Sequence, residues 1–251
     1  MRFNKKEKWM AFTLLAVPLA LTITLMFPHY EKFIAPGHIV KIEELGIKGH
    51  VYMTYVEGGV ARNYLEKLLI TFHYDREQVS FEPASRDESS NNEELQNEEE
   101  ISKETVVTNA LQVSGYSVDS SQSVNSKYAS IMEKSAQYVG NSFGLMAGIG
   151  LVEEESLEDF SRGGKYTIAG TGTLEQDGTV GSVGGIREKV ETAAQSGVDY
   201  FFVPKDKGSF PFGVVSNQEE AEQYAKEHSL HLQIIPVETL EEALSFLKNL
   251  P

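Results

Sequence analysis

Between Trp9 and Phe27 the chain runs for 19 residues without a charged side chain. No other feature limits the fold so sharply. At about 1.5 Å per residue, a helix of that length nearly spans a hydrocarbon layer of roughly 30 Å. Arg2, Lys5, Lys6 and Lys8 precede the run. Trp9 and Tyr30 stand where interfacial aromatics belong, and transmembrane helices tolerate a proline such as Pro18. The basic residues place the N-terminus in the cytoplasm by the positive-inside rule, with the rest of the chain across the membrane. The run closes on Leu25-Met26-Phe27-Pro28, with no small-x-small cleavage site. An uncleaved signal anchor is therefore expected, rather than a removed signal peptide. The expected organisation starts with a cytoplasmic tail over 1–8 and a transmembrane signal anchor over 9–27. The protein would be single-pass in the cell membrane, its remaining mass extracytoplasmic.

That remainder is long enough to bury a core within a chain of 251 residues. Cysteine is absent, which excludes disulfide scaffolds, thiolate zinc sites and cysteine nucleophiles. A formal net charge of -15 argues against a nucleic-acid partner, whose phosphates call for Lys and Arg. The charge is unevenly spread: Asp87 to Glu104 hold eight acidic residues and one basic residue, Lys103. Composition predicts a solvated acidic and polar linker over 84–126. Ahead of it lies a small β-rich region over 31–83. There, Val51–Val56 and Leu69–Tyr74 have strand composition, and Pro36-Gly37 and Gly58-Gly59 have turn composition.

From Lys127 onward the pattern alternates helix and strand. Tyr128, Ile131, Met132, Tyr138 and Val139 fit one helical face, and Phe143 to Val152 is apolar almost all round, as a buried helix is. A strand is expected over Tyr166–Leu174, turned back at Asp177-Gly178. Ile186–Ser196 reads as a helix stopped by Gly197, and Tyr200–Val203 as a central strand. Ser216 with Glu219, and Thr239 with Glu242, have capping-box spacing, with a strand over His231–Val237 between them.

Several chemistries are excluded by spacing. The tract from Gly170 to Gly178 lacks the third glycine of a dinucleotide fingerprint, and no phosphate-binding G-x-x-x-x-G-K-[ST] exists. Any activity in this chain is therefore expected to be ATP-independent, with no cofactor. The six histidines form no H-E-x-x-H, so no metal site is assigned, and His228 with His231 reads as a solvated helix end. Two residues carry a sharper reading. Ser142 opens the buried apolar helix: it is either an N-cap or a nucleophile set where a helix end can stabilise an oxyanion. Lys189 lies at the edge of the apolar face of Ile186–Ser196, with no acidic partner three or four residues away. It is either a snorkelling lysine or a desolvated amine able to take the proton of a serine, as in Ser–Lys dyads.

These residues also carry a resemblance. Gly140-Asn-Ser142-Phe-Gly144-Leu-Met is similar to the Gly-Pro-Ser-Ala-Gly-Leu-Met of Lon-type serine proteases. Tyr166 to Gly181 resembles the hairpin of the same family. Gly184-Gly-Ile-Arg-Glu-Lys189, followed by Ala193-Ala194 and Gly197, resembles its Gly-Gly-x-x-x-Lys helix. The tail from Ile234 to Leu244 is also similar. More closely, residues 140–251 resemble the membrane-anchored, ATPase-free Lon-like proteases of Gram-positive bacteria, here without a recognisable PDZ domain. The resemblance implies an α+β fold: a Lon-type proteolytic domain over 127–251, behind the anchor and the β-rich segment. It implies Ser142 as nucleophile, Lys189 as general base, and hydrolysis of protein or peptide substrates through an acyl-enzyme. Asn141 stands where the family has Pro and Phe143 where it has Ala, and the strands that align substrate ahead of the nucleophile are not recognisable. These departures, with the missing PDZ domain, motivate an alternative of a different class: a catalytically impaired homologue serving as a membrane-bound binding or regulatory protein.

Overall fold

A computed structural model describes residues 4–74, 78–86, 93–116, 121–138, 140–205 and 215–251. Two compact units emerge, one formed by residues 1–35 and 58–92, the other by 36–57 and 93–251.

In the first unit, helix α1 spans Lys5–Leu25 and contains Pro18. Trp9, Phe12, Leu15 and most other large apolar residues of α1 are exposed. Among the described residues no helix is long and apolar enough to cross a membrane. Strand β1 (Pro28–Lys41) pairs antiparallel with the short β3 (Ser80–Pro83), Phe33 opposite Phe81. Strand β2 (Tyr52–Asn63) leads directly into helix α2 (Tyr64–His73). The strand expected over Leu69–Tyr74 is thus mostly helical. Leu65, Leu68, Leu69 and Phe72 recur at helical rather than alternating spacing, and Asn63 caps the start by accepting the Glu66 amide at 2.9 Å. The turns expected at Pro36-Gly37 and Gly58-Gly59 lie inside β1 and β2. Gly37 passes so close to its neighbour that a Cβ would meet the Tyr55 carbonyl oxygen at 2.3 Å.

The second unit is a layered α and β structure. Strands β1, β2, β4 (Ile168–Gly170), β7 (Tyr200–Pro204) and β8 (Gln233–Val237) stand in that order in one sheet. From β2 to β8 neighbours are parallel, with Ala169 beside Phe201 and Phe201 beside Ile234. Side chains alternate across the sheet, as the two-residue strand period requires. Phe202, Ile168, Ile235 and Val237 join a core with helices α5 (Gly144–Ser156) and α8 (Leu240–Lys248). Phe201, Val203 and Ala169 join a second core with α6 (Ile186–Gln195) and α7 (Asn217–Glu227). The strand expected over Tyr166–Leu174 is broken after Gly170. Its second half, β5 (Thr173–Leu174), pairs antiparallel with β6 (Val180–Gly181) around the Asp177-Gly178 turn. Both predicted caps form: the Ser216 hydroxyl accepts the Glu219 amide at 3.0 Å, and the Thr239 hydroxyl accepts the Glu242 amide at 3.1 Å.

The largest departure concerns the acidic stretch. Where composition predicts a linker over 84–126, Glu93–Val113 form a 21-residue helix, α3, and α4 (Ser121–Ser135) follows. Val106, Val107, Ala110 and Leu111 of α3 are buried in the core beside α5. Asn109 donates from Nδ2 to the Leu174 carbonyl at 2.8 Å. Four apolar residues on one helical face thus outweigh the solubility of the eight acidic residues that precede them. Residues 87–92 and 117–120 of that stretch lie outside the described residues, as does Val139. Residues 36–57, assigned from sequence to the β-rich region, belong to the second unit.

Candidate active site

Helix α5 starts at Gly144, with Phe143 in the capping position and no side-chain cap. Ser142, half-buried, lies outside the helix, so the N-cap reading does not hold. Among the described residues its hydroxyl makes no hydrogen bond. The main chain of Ser142 is held instead. Its carbonyl accepts the Gly172 amide at 2.9 Å and the Thr171 hydroxyl at 3.3 Å, and Gly172 in turn accepts the Leu145 amide at 3.0 Å. This approach needs glycine: at Gly172 φ is +149° and a Cβ would lie 2.5 Å from Val180 Cγ1. At Gly144 a Cβ would lie 2.7 Å from both the Leu174 nitrogen and Val106 Cγ1. Gly144 donates its amide to the Asn141 carbonyl at 3.3 Å, whereas the amides of Ser142 and Phe143 donate to nothing among the described residues.

Lys189 sits on α6, whose entry is set by Gly185 at φ 68°. It is 3% exposed, on a helix face that packs Ile186, Val190 and Ala193 against Ala169 and Phe201. The snorkelling reading therefore fails. Burial lowers its ammonium from 10.5 to about 8, with neighbouring Glu188 opposing the drop. Among the described residues Lys189 Nζ has no hydrogen-bond or ion-pair partner, and no hydrogen bond joins it to Ser142 Oγ. The two residues share one piece of framework. Ala169 packs in the same core as α6, while Thr171 and Gly172, immediately downstream, hold Ser142.

Helix α3 supplies contacts that reading the sequence as a linker missed. Glu99 Oε1 accepts the Gly140 amide at 3.0 Å, and Asn141 Nδ2 donates to Ser102 Oγ at 2.6 Å. Lys103, 7% exposed, places Nζ 3.0 Å from Glu99 Oε1. Burial acts to raise the Glu99 carboxyl, but the Gly140 amide and Lys103 outweigh it and hold the group below the ordinary carboxylate range. The signal available in the sequence was the apolar quartet Val106, Val107, Ala110 and Leu111, which marks a helix face just beyond the acidic block.

A cluster away from this site brings His50, Glu153 and Asp159 together, with ligand atoms within 4.8 Å of one another. The carboxylates are already engaged. Glu153 accepts the His50 and Phe160 amides at 2.7 and 2.9 Å, and Asp159 accepts Ser161 and Gly163 amides at 2.9 and 2.8 Å. The cluster staples the loop before β2 to the segment after α5. His228 stacks on Tyr224 at 4.2 Å, and both His228 and His231 are exposed.

Residues 144–248 match the Lon protease (S16) C-terminal proteolytic domain. A Lon protease of Methanosarcina barkeri (strain Fusaro / DSM 804) is 35% identical over 77 residues, which cover 31% of this chain and 8% of that protease. Residues 144–248 are therefore similar to a Lon-type proteolytic domain, which implies the fold of a serine protease there. Lys189 lies inside the matched span, and Ser142 lies two residues before it.

Proposed function

We propose that the chain is a membrane-anchored, ATP-independent serine endopeptidase in which Ser142 is the nucleophile and Lys189 the general base. The observation that carries this reading is Lys189: a lysine buried in the core of a Lon-type proteolytic domain, its amine lowered to about 8 by burial, which the charge of neighbouring Glu188 opposes without cancelling. A structural lysine gains nothing from such a place, whereas a base needs it, because only the neutral amine can accept a proton.

Lys189 Nζ takes the hydroxyl proton of Ser142 as Oγ attacks the scissile carbonyl carbon. The amides of Ser142 and Phe143, uncommitted among the described residues, are the proposed donors to the oxyanion that forms. As the C–N bond breaks, the proton passes from Lys189 to the leaving amine. Water, deprotonated by the neutral Lys189 Nζ, then attacks the ester; the acid is released and Nζ returns the proton to Oγ. The Trp9–Phe27 run anchors the chain in the cell membrane, N-terminus cytoplasmic, and the catalytic unit meets protein or peptide substrates on the outer side.

The second reading, a catalytically impaired homologue that binds rather than cleaves, is favoured by one observation: no Ser142–Lys189 hydrogen bond forms among the described residues. Catalytic hydrogen bonds often tighten only with substrate bound. Cleavage of an unstructured polypeptide by the detergent-solubilised full chain separates the two. Hydrolysis abolished by Ser142→Ala and by Lys189→Met supports the protease. An inactive wild type supports the binding protein, and variants as active as an active wild type overturn the Ser142–Lys189 dyad.

A further inference from the structure

We infer that Glu99, Ser102 and Lys103 of α3 are positioning residues for Ser142, forming a side-chain latch that fixes Gly140–Asn141 where a proline would otherwise stiffen the loop. The inference rests on Ser142 being the nucleophile. The physical problem is the two residues before it. Gly140 has φ +87°, a conformation open to glycine at little cost. Asn141 stands where the resembled motif has proline, so φ is not locked by a ring. A Gly-Asn approach leaves the nucleophile on a freely rotating tether, and freezing such a tether costs conformational entropy on every turnover that needs it ordered.

The latch removes that freedom from outside the loop. Gly140 gives its amide to Glu99 Oε1 at 3.0 Å, and Asn141 gives its side-chain amide to Ser102 Oγ at 2.6 Å. Positions 99, 102 and 103 are spaced to share one helix face. Lys103, 3.0 Å from Glu99, holds the carboxylate charged and aimed at the Gly140 amide. The latch is itself immobile, because the next turns of α3 bury Val106, Val107, Ala110 and Leu111 and tie Asn109 to Leu174. The Thr171 hydroxyl and the Gly172 amide grip the Ser142 carbonyl on its C-terminal side, and the α3 latch grips the loop on the N-terminal side. Asn141 donates no main-chain hydrogen bond among the described residues, so a proline placed there forfeits none.

Two measurements on the full chain test this. The first is a mutant cycle read as kcat and KM separately. Ser102→Ala and Glu99→Ala are expected to lower kcat by roughly tenfold to a hundredfold, the scale of a misplaced reacting group, with KM nearly unchanged. Asn141→Pro is expected to restore most of the kcat lost in Ser102→Ala, and Ser102→Thr and Glu99→Gln, which keep their acceptors, to retain most of it. The second is amide hydrogen exchange, which needs no turnover. Glu99→Ala should expose the Gly140 amide while the Leu145 amide, bonded to Gly172, stays protected. An active wild type whose kcat and Gly140 protection are indifferent to both alanine variants, or a Ser102→Ala defect that Asn141→Pro leaves unchanged, overturns the latch alone. A wild type without hydrolysis overturns the nucleophile reading on which the latch rests.

Discussion

Lys189 carries a cost that the proposed role as general base explains. Its folded-state value of about 8 lies below the ordinary 10.5, so the unfolded chain binds this proton more tightly. The penalty is of the order of 3 kcal/mol, present in full below pH 8 and relieved as pH climbs from about 8 towards 10.5. Lys189→Met should therefore raise Tm at pH 7, with the gap to wild type closing by pH 10, while hydrolysis is lost. Thermal melts across that range check both the size and the sign. Gly144 makes the opposite case. A Cβ there meets the Leu174 nitrogen and Val106 Cγ1, both at 2.7 Å. Backbone does not give way as a flexible side chain does, so Gly144→Ala should cost about 1–3 kcal/mol in denaturant titrations.

The elements that set this site were unevenly legible. Helices α5, α6, α7 and α8 and strands β7 and β8 announce themselves by period, caps and stop glycines, because local chemistry and tertiary packing agree there. Thr239 is one such signal, and Thr239→Ala should cost about 1 kcal/mol, read as a lower urea midpoint. Helix α3 is the contrary case. Charge dominates its first half, composition alone reads it as solvent-facing, and only its packing against α5 makes it structural. Helix α2 was obscured by Ile70, Thr71 and Phe72, residues of strand type set at helical spacing. Ser142 and Lys189 were visible as candidates, but which way each pointed was not: the start of α5 at Gly144 and the burial of α6 decide that, and both are long-range outcomes. The latch residues Glu99 and Ser102 were hidden because their partners, Gly140 and Asn141, lie about forty residues away.

At the scale of the whole molecule, the proposed protease is a membrane anchor followed by the region that matches a Lon-type proteolytic domain. The exposed apolar side chains of α1 are the part that lipid would cover. Replacing Leu15, Leu19 and Ile23 together by Lys should move the protein from the alkali-resistant membrane pellet to the soluble fraction, leaving the second unit folded. A mutant that still pellets would refute the anchor without touching the chemistry. The chemistry has its own test: the pH–rate profile of the solubilised full chain on an unstructured peptide, beside Ser142→Ala and Lys189→Met. The predicted profile is a kcat/KM that rises with pH and levels above a midpoint near 8, the pH at which half of Lys189 is neutral, with both variants flat at background. A wild type at background throughout, or a limb that persists in Lys189→Met, would contradict the Ser142–Lys189 assignment.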